Sequence, residues 1–249
     1  MAGKLNGKVA LITGASSGIG EATALALAAE GVRVAVAARR AERLEALAKR
    51  IGAQGGEAIP IIADVADEAQ ANDMVHTAHA FWNRLDILVN NAGLMLLGPI
   101  DGANTDDWRR MVNVNLLGLM YTTHAALPLM KEQGAGHIVN ISSVAGRTAG
   151  AGRAVYNATK WAVGGFSEAL RQETFREKIR VTIIEPGAVA TELTEHITNP
   201  SAKKETQQWY QSMRQLQSED IAAAILYAVT QPPHVNVNEI LIRPTDQER

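Results

Sequence analysis

Seven short apolar runs punctuate the chain, at 9–13, 32–37, 58–63, 87–89, 137–141, 181–184 and 240–242, and β-branched residues are frequent in them. Nearly every position in these runs is apolar, as in strands buried on both faces, where alternation with polar residues is lost. Between them lie longer stretches rich in Ala, Leu, Glu and Arg with helical spacing, such as 21–29, 41–51 and 68–82. Alternation of this kind predicts right-handed βαβ crossovers and therefore a doubly wound α/β fold: a seven-stranded parallel sheet with helices on both faces, forming one domain over 1–249. Residues 191–218 break the rhythm. They are polar, include Pro200, and set Trp209, Tyr210 and Met213 among Lys, Glu and Gln. This segment reads as a lid over a site, or else as a surface helix pair with a few buried anchors.

Composition narrows the function classes. With 47% hydrophobic and 20% charged residues among 249, the chain has the makings of a large core. A net charge of −2 provides no electrostatic footprint for nucleic acid or an anionic membrane. The absence of cysteine excludes disulfides, thiolate metal sites and a cysteine nucleophile. No apolar stretch approaches the roughly 18 residues needed to cross a bilayer, and residues 1–6 lack the apolar run of a signal peptide. The expectation is a cytoplasmic protein without nucleic-acid or membrane partners. His76 and His79 have a metal-like spacing but no third ligand near them in sequence, so no metal is expected.

The first predicted strand runs into Thr13-Gly14-Ala15-Ser16-Ser17-Gly18-Ile19-Gly20, and a helix follows at Glu21. Glycines placed there permit a tight turn and close backbone approach to a pyrophosphate, which the helix N-terminus favours electrostatically. The spacing Gly-x-x-x-Gly-x-Gly resembles the short-chain dehydrogenase/reductase family, in its branch of about this chain length. Asn90-Asn91-Ala92-Gly93 and Pro186-Gly187 match the same family, in the same order, from Lys8 to the final strand. The resemblance implies a Rossmann domain that binds a nicotinamide dinucleotide through Gly14, Ser16, Ser17, Gly18, Ile19, Gly20, Asn91, Ala92, Gly93, Pro186, Gly187 and Val189. It also implies an adenine contact at Asp64-Val65, where Asp64 could equally cap the next helix, and a nicotinamide contact at Thr191.

Charge selects between the two dinucleotides. In such folds an acid at the end of the second strand binds a ribose 2′-hydroxyl, whereas a basic residue accommodates a 2′-phosphate. Aligned on the family pattern, Ala38 stands where the acid would be, followed by Arg39 and Arg40. The expected cofactor is NADP(H), with Arg39 as its chief phosphate ligand. A solvated helix start is the plainer reading of the two arginines.

Tyr156 and Lys160 are four apart, on one face of a predicted helix. Ser143 lies thirteen residues before Tyr156, just past a strand, and Asn115 lies in the preceding helix; the four fit the family's Asn-Ser-Tyr-Lys tetrad. Carbonyl reduction by hydride builds charge on oxygen, which must be stabilised and protonated. Tyr156 would be the acid, its pKa near 10 brought down by the Lys160 ammonium and by the positive charge of the oxidised nicotinamide. Ser143 would polarise the carbonyl, and Asn115 would anchor a water on a proton path to Lys160.

The substrate side is expected to comprise Met95, Val144, Ala145, Gly187, Leu193, Trp209 and Met213 beside Ser143, with Leu96 near. This set holds no Arg or Lys and suggests a small neutral aldehyde, ketone or alcohol. Segments 94–99, 117–121, 184–187 and 242–247 resemble the clavaldehyde dehydrogenases and the NADP-dependent 3-hydroxy acid dehydrogenases. The family resemblance further implies a homotetramer, with Leu116, Leu119, Met120 and Phe175 as candidate contacts. The leading expectation is an NADPH-dependent carbonyl reductase, reversible as an alcohol dehydrogenase. The alternatives are an NAD-linked alcohol dehydrogenase and a non-catalytic nucleotide sensor.

Overall fold

A computed structural model describes residues Gly3 to Glu248. In chain order the elements are β1 (Val9–Thr13), α1 (Gly18–Ala29), β2 (Arg33–Ala38), α2 (Ala41–Ala53), β3 (Ala58–Ile62), α3 (Glu68–Trp82), β4 (Ile87–Asn90), α4 (Thr105–Val112), α5 (Gly118–Gln133), β5 (Gly136–Ile141), α6 (Ala154–Thr174), β6 (Ile179–Pro186), α7 (Pro200–Gln211), α8 (Ser218–Val229) and β7 (Glu239–Ile242). Among the described residues, seven strands form one sheet in the order β3-β2-β1-β4-β5-β6-β7, and every pairing is parallel. This is the expected α/β Rossmann architecture, and each predicted strand lies within two residues of its observed start.

Period-two alternation along the strands divides the core. Ala10 and Ile12 of β1 face Leu27, Leu44 and Ile221 from α1, α2 and α8. Val9 and Leu11 face the other way, onto Met74, Ala126 and Leu170 from α3, α5 and α6. The five residues of β1 are all buried, which explains why its sequence shows no polar alternation. Pro60 sits in β3, which pairs only with β2; an edge strand tolerates the missing donor.

The strand order reverses beside β1, where β2 and β4 flank it on opposite sides, so the chain leaves β1 and β4 in opposite directions. A crevice opens there, at the carboxyl ends of the strands. No helix among the described residues is long and apolar enough to cross a membrane.

His137, in β5, is a buried titratable group well away from that crevice. Thr182 donates its hydroxyl proton to the Val237 carbonyl at 2.7 Å, so the 2.7 Å contact between His137 Nε2 and Thr182 Oγ1 makes Nε2 the donor. Nδ1 is left unprotonated and without a partner. Burial, followed by the charges of Arg180 and Lys8, holds the imidazole well below the usual histidine pKa. The unfolded chain therefore binds a proton that the folded chain refuses. Stability from this site is intact above about pH 6.5 and falls by about 1.4 kcal/mol per unit as pH drops below that value. Replacing His137 by Leu should remove this acid limb from urea-denaturation curves taken between pH 4 and 7.

Candidate active site

The glycine turn is built by steric necessity. Gly18 opens α1 at φ +57°, a conformation that strains residues with a Cβ. A Cβ on Gly20 would fall 2.5 Å from the Gly14 carbonyl oxygen, so only glycine lets α1 approach the turn this closely. Thr13 ties the turn to the end of β4. Its hydroxyl accepts from the backbone N–H groups of Asn91 at 3.0 Å and Ala92 at 3.1 Å, while Asn91 Nδ2 donates to the Thr13 carbonyl at 2.9 Å.

A cleft of about 490 Å³ runs from this turn to the end of α6. Gly14, Ser16, Ser17, Gly18 and Ile19 line it at one end, with Arg39, Arg40, Asp64 and Val65. Asn91, Ala92, Gly93, Pro186, Gly187, Val189 and Thr191 form its middle; Ser143, Tyr156 and Lys160 lie at the far end with Met95, Val144, Ala145, Leu193 and Trp209. Four sequence-predicted residues do not line it. Leu96 is buried in the core, with its backbone N–H donating to Met111 Sδ. Gly20 lies beneath the turn, packed on Gly14. Met213 falls beyond the C-terminal end of α7, where the chain has already turned away. Asn115 is buried behind the wall, in a π-helical turn at Asn113–Leu117 between α4 and α5.

The chemistry clusters on three elements. Ser143, at the end of β5, caps a short turn by accepting from Ala145 N at 3.1 Å and donates to the Pro186 carbonyl at 3.3 Å. Its neighbour Ser142 instead donates to the Lys160 carbonyl at 3.0 Å, which separates the roles of the two serines. Arg147 holds this turn against β6 through a two-pronged pair with the buried Glu185, at 2.7 and 3.0 Å. Tyr156 and Lys160 project from the first turns of α6, with Lys160 Nζ 5.8 Å from the centre of the Tyr156 ring and 2.9 Å from the Ile141 carbonyl it donates to.

The electrostatics differ from the sequence expectation. Burial, reinforced by Tyr210, pushes the Tyr156 phenol above its ordinary pKa, against the opposing influence of Ser143 and the charge of Arg153. Lys160 is not among the groups that shift it. The same burial lowers Lys160 itself to about 8, because its ammonium has exchanged water for a single carbonyl and an aromatic face.

The Asn115 side chain is engaged within the fold. Its carboxamide is spent on protein, accepting from Leu94 N at 2.7 Å and donating to the Leu94 carbonyl at 2.9 Å and to Thr159 Oγ1 at 3.2 Å. It clamps the loop after β4 to α6. Near it, a Cβ on Gly93 would sit 3.5 Å from Asn115 Oδ1 and 3.9 Å from Lys160 Nζ.

At the basic end Arg39 and Arg40 take different places. Arg39, the expected phosphate ligand, is two-thirds exposed and lies 3.6 Å from Asp64. Arg40 is the inward residue: Nε and Nη2 donate to Ser16 Oγ at 3.0 and 2.9 Å, and Nη2 also reaches Ser17 Oγ at 2.7 Å. A carboxylate is present after all. Glu192, far along the chain, pairs with Arg43 at 2.6 Å and Arg40 at 2.8 Å, which hold it down at about 2. Asp67, not Asp64, caps α3 by accepting from Gln70 N. Asp64 accepts from Ala66 N within its own turn.

Thr191 accepts from Leu193 N at 3.4 Å, and its methyl group would lie 3.1 Å from a Cβ on Gly18, so it closes over the glycine turn. Sequence reasoning passed over Arg153 and Tyr210 as site residues, yet both reach the far end of the cleft. Arg153 precedes Tyr156 by three, one helical turn, and that spacing was the available signal.

The family model of the short chain dehydrogenases matches residues 8–202. The chain belongs to the short-chain dehydrogenase/reductase family. It is 41% identical over 243 residues to an uncharacterized oxidoreductase of Staphylococcus saprophyticus, covering 96% of this chain and 97% of that one. Among solved structures it resembles the closed form of a serine dehydrogenase complexed with NADP+, at TM-score 0.89 and 38% identity, with 97% and 96% of the two chains covered. A short-chain dehydrogenase/reductase from Burkholderia phymatum in complex with NAD superposes with TM-score 0.88 at 27% identity, over 96% of this chain and 89% of that one. The protein is thus a short-chain oxidoreductase that uses a nicotinamide cofactor. The open glycine turn, without a Cβ at Gly14 or Gly18, fits such a dinucleotide.

Asn115→Ala should leave both Leu94 backbone groups buried without partners. The expected loss is about 1–3 kcal/mol of unfolding free energy, measured by urea denaturation.

Proposed function

We propose that this oxidoreductase is an NADPH-dependent carbonyl reductase, reversible as an alcohol dehydrogenase. The observation that carries the reading is the meeting of Ser143, Tyr156 and Lys160 at one end of a cleft whose other end is lined by the glycine turn and Arg40. When bound, the nicotinamide ring supplies the hydride to the carbonyl carbon or takes it back. The chain's own residues handle the oxygen. Ser143 hydrogen-bonds it and fixes it beside Tyr156; the Tyr156 hydroxyl delivers the proton as the carbonyl becomes an alkoxide. A phenol raised by burial stays protonated at neutral pH and is ready to donate in that direction. Lys160 would hold the nicotinamide ribose.

The 2′-phosphate of NADP is assigned to Arg40, with Arg43 and Arg39 nearby. Three guanidinium groups face two carboxylates, Glu192 and Asp64, and the surplus is positive. Glu192 holds Arg40 and Arg43 where a phosphate would compete for them. Segment 191–218 serves as the lid, with Glu192 as its anchor on the cofactor side and Trp209 on the substrate side. The Ala38 position, without an acid, disfavours an NAD-linked enzyme. A cytoplasmic, single-domain homotetramer completes the reading, with Trp161 on α6 and Phe175 just past its C-terminal end, both more than half exposed, as apolar contacts. Leu119 leaves that set because it is buried within its own chain.

Tyr156→Phe should abolish NADPH-linked turnover on a ketone and aldehyde panel while calorimetric NADPH affinity stays within about twofold. Retained turnover would overturn the assignment of the acid. Arg40→Ala should weaken NADPH by about tenfold and leave NADH nearly unchanged, the low end for a charge-assisted contact because the Arg40 side chain is 41% exposed. Equal losses for both cofactors would remove the phosphate assignment.

A further inference from the structure

The substrate end of the cleft contains a cation that the proton-transfer chemistry does not require. Arg153 is the residue at the N-terminal cap of α6, and its own side chain makes no capping bond. It lies three positions before Tyr156, so the two side chains leave neighbouring positions at the start of the helix and line the same cleft. The guanidinium carbon lies 5.4 Å from the centre of the Trp209 ring, carried in by α7. Among the described residues no carboxylate pairs with it. The two carboxylates that line the cleft, Asp64 and Glu192, are engaged by Arg39, Arg40 and Arg43 at the other end. The charge of Arg153 is felt at the reaction centre, where it favours the ionised forms of both Tyr156 and Tyr210.

A guanidinium held over an indole by cation–π attraction makes no hydrogen bond there, so its planar fork can offer two parallel hydrogen bonds, the geometry a carboxylate accepts. Met95, Leu97 and Leu193 line the same cleft, together with the uncharged polar side chains of Thr148 and Tyr210 and the imidazole of His196. The absence of a cation was the ground for expecting a neutral substrate, and Arg153 removes it.

We propose that Arg153 is the specificity-determining residue for an anionic substrate, receiving the carboxylate of a short oxo acid whose ketone or aldehyde carbon lies at Ser143 and Tyr156, or of the matching hydroxy acid in the reverse direction. This rests on the carbonyl-reductase reading of the same site. The carboxylate takes no part in the redox step: the carbonyl carbon gains the hydride, the oxygen gains the Tyr156 proton, and the acid group stays ionised on Arg153. Trp209 then covers the ion pair from the lid side and shields it from water, which strengthens the contact.

The test compares acetoacetate with methyl acetoacetate, ketones of the same backbone that differ in the charge. Calorimetric binding to protein saturated with NADP+ involves no hydride to transfer and reports recognition alone. The acid should bind at least about tenfold more tightly than the ester. Arg153→Gln should lose that preference while leaving the ester within about twofold, and Arg153→Lys should recover part of it. Thermal unfolding of both variants checks that α6 remains intact. Equal binding of acid and ester to the unaltered protein, or an acid preference unchanged in Arg153→Gln, overturns the proposal and leaves a role for Arg153 only in packing on Trp209. Turnover with NADPH separates the two levels. Reduction of the ester and of neutral aldehydes without preference for the acid sinks the anionic substrate and keeps the reductase. Arg153-dependent acid binding with no carbonyl reduced keeps the carboxylate site and sinks the reductase.

Discussion

The hydrogen bonds between Thr13 and Asn91 hold the ends of β1 and β4 together at the point where the chain departs in opposite directions. Parallel strands share ladder bonds only along their length, and beyond Ile12 and Val89 nothing in the sheet keeps the two turns in register. The Thr13 hydroxyl and the Asn91 carboxamide supply that missing register, in a buried to half-buried setting where neither can be replaced by water without loss. The glycine turn inherits its position from this stitch, because a Cβ on Gly20 would meet both the Gly14 carbonyl and Asn91 Nδ2.

A second buried polar chain carries the same constraint across to the catalytic helix. Thr122 donates to Asn90 Oδ1 at 2.6 Å, Asn90 Nδ2 donates to Asn140 Oδ1 at 2.9 Å, and Asn140 Nδ2 donates to Ser167 Oγ at 2.9 Å. Ser167 donates onward to the Val163 carbonyl at 2.7 Å. The chain links α5, β4, β5 and α6 through the middle of the core, and each of these donors finds an acceptor. A network satisfied in this way defines one packing angle for α6, and with it the places of Tyr156 and Lys160. The Asn115 clamp on Leu94 adds a further tie between the loop after β4 and α6.

The segment after β6 unites the two ends of the cleft. Glu192 meets Arg40 and Arg43 beside the glycine turn, while Trp209 stacks on Arg153 at the substrate end. Whatever binds at either end therefore contacts the same stretch of chain. Arginines of the scaffold stand at both ends, and this one segment meets them with a carboxylate at the first and an aromatic face at the second.

The sequence by itself determined the sheet, the glycine turn and the Tyr156–Lys160 pair, because each is a local matter: apolar runs buried on both faces, glycines demanded by backbone contact, a tyrosine and a lysine one helical turn apart. Pattern matching added Ser143 and Asn115 to that pair, although the use of the Asn115 side chain came only with the fold. Tertiary structure alone decided which neighbour of Ala38 turns inward, since adjacent residues at a helix start point in different directions and only the position of Ser16 and Ser17 selects Arg40. It brought Glu192 to Arg40 and Arg43, placed Leu119 inside its own chain, and left Met213 outside the cleft. It also left Arg153 without an acidic partner. Helical period states which face a residue occupies on its own element; what that face meets depends on elements far away in sequence, and the charge balance of the cleft is set there.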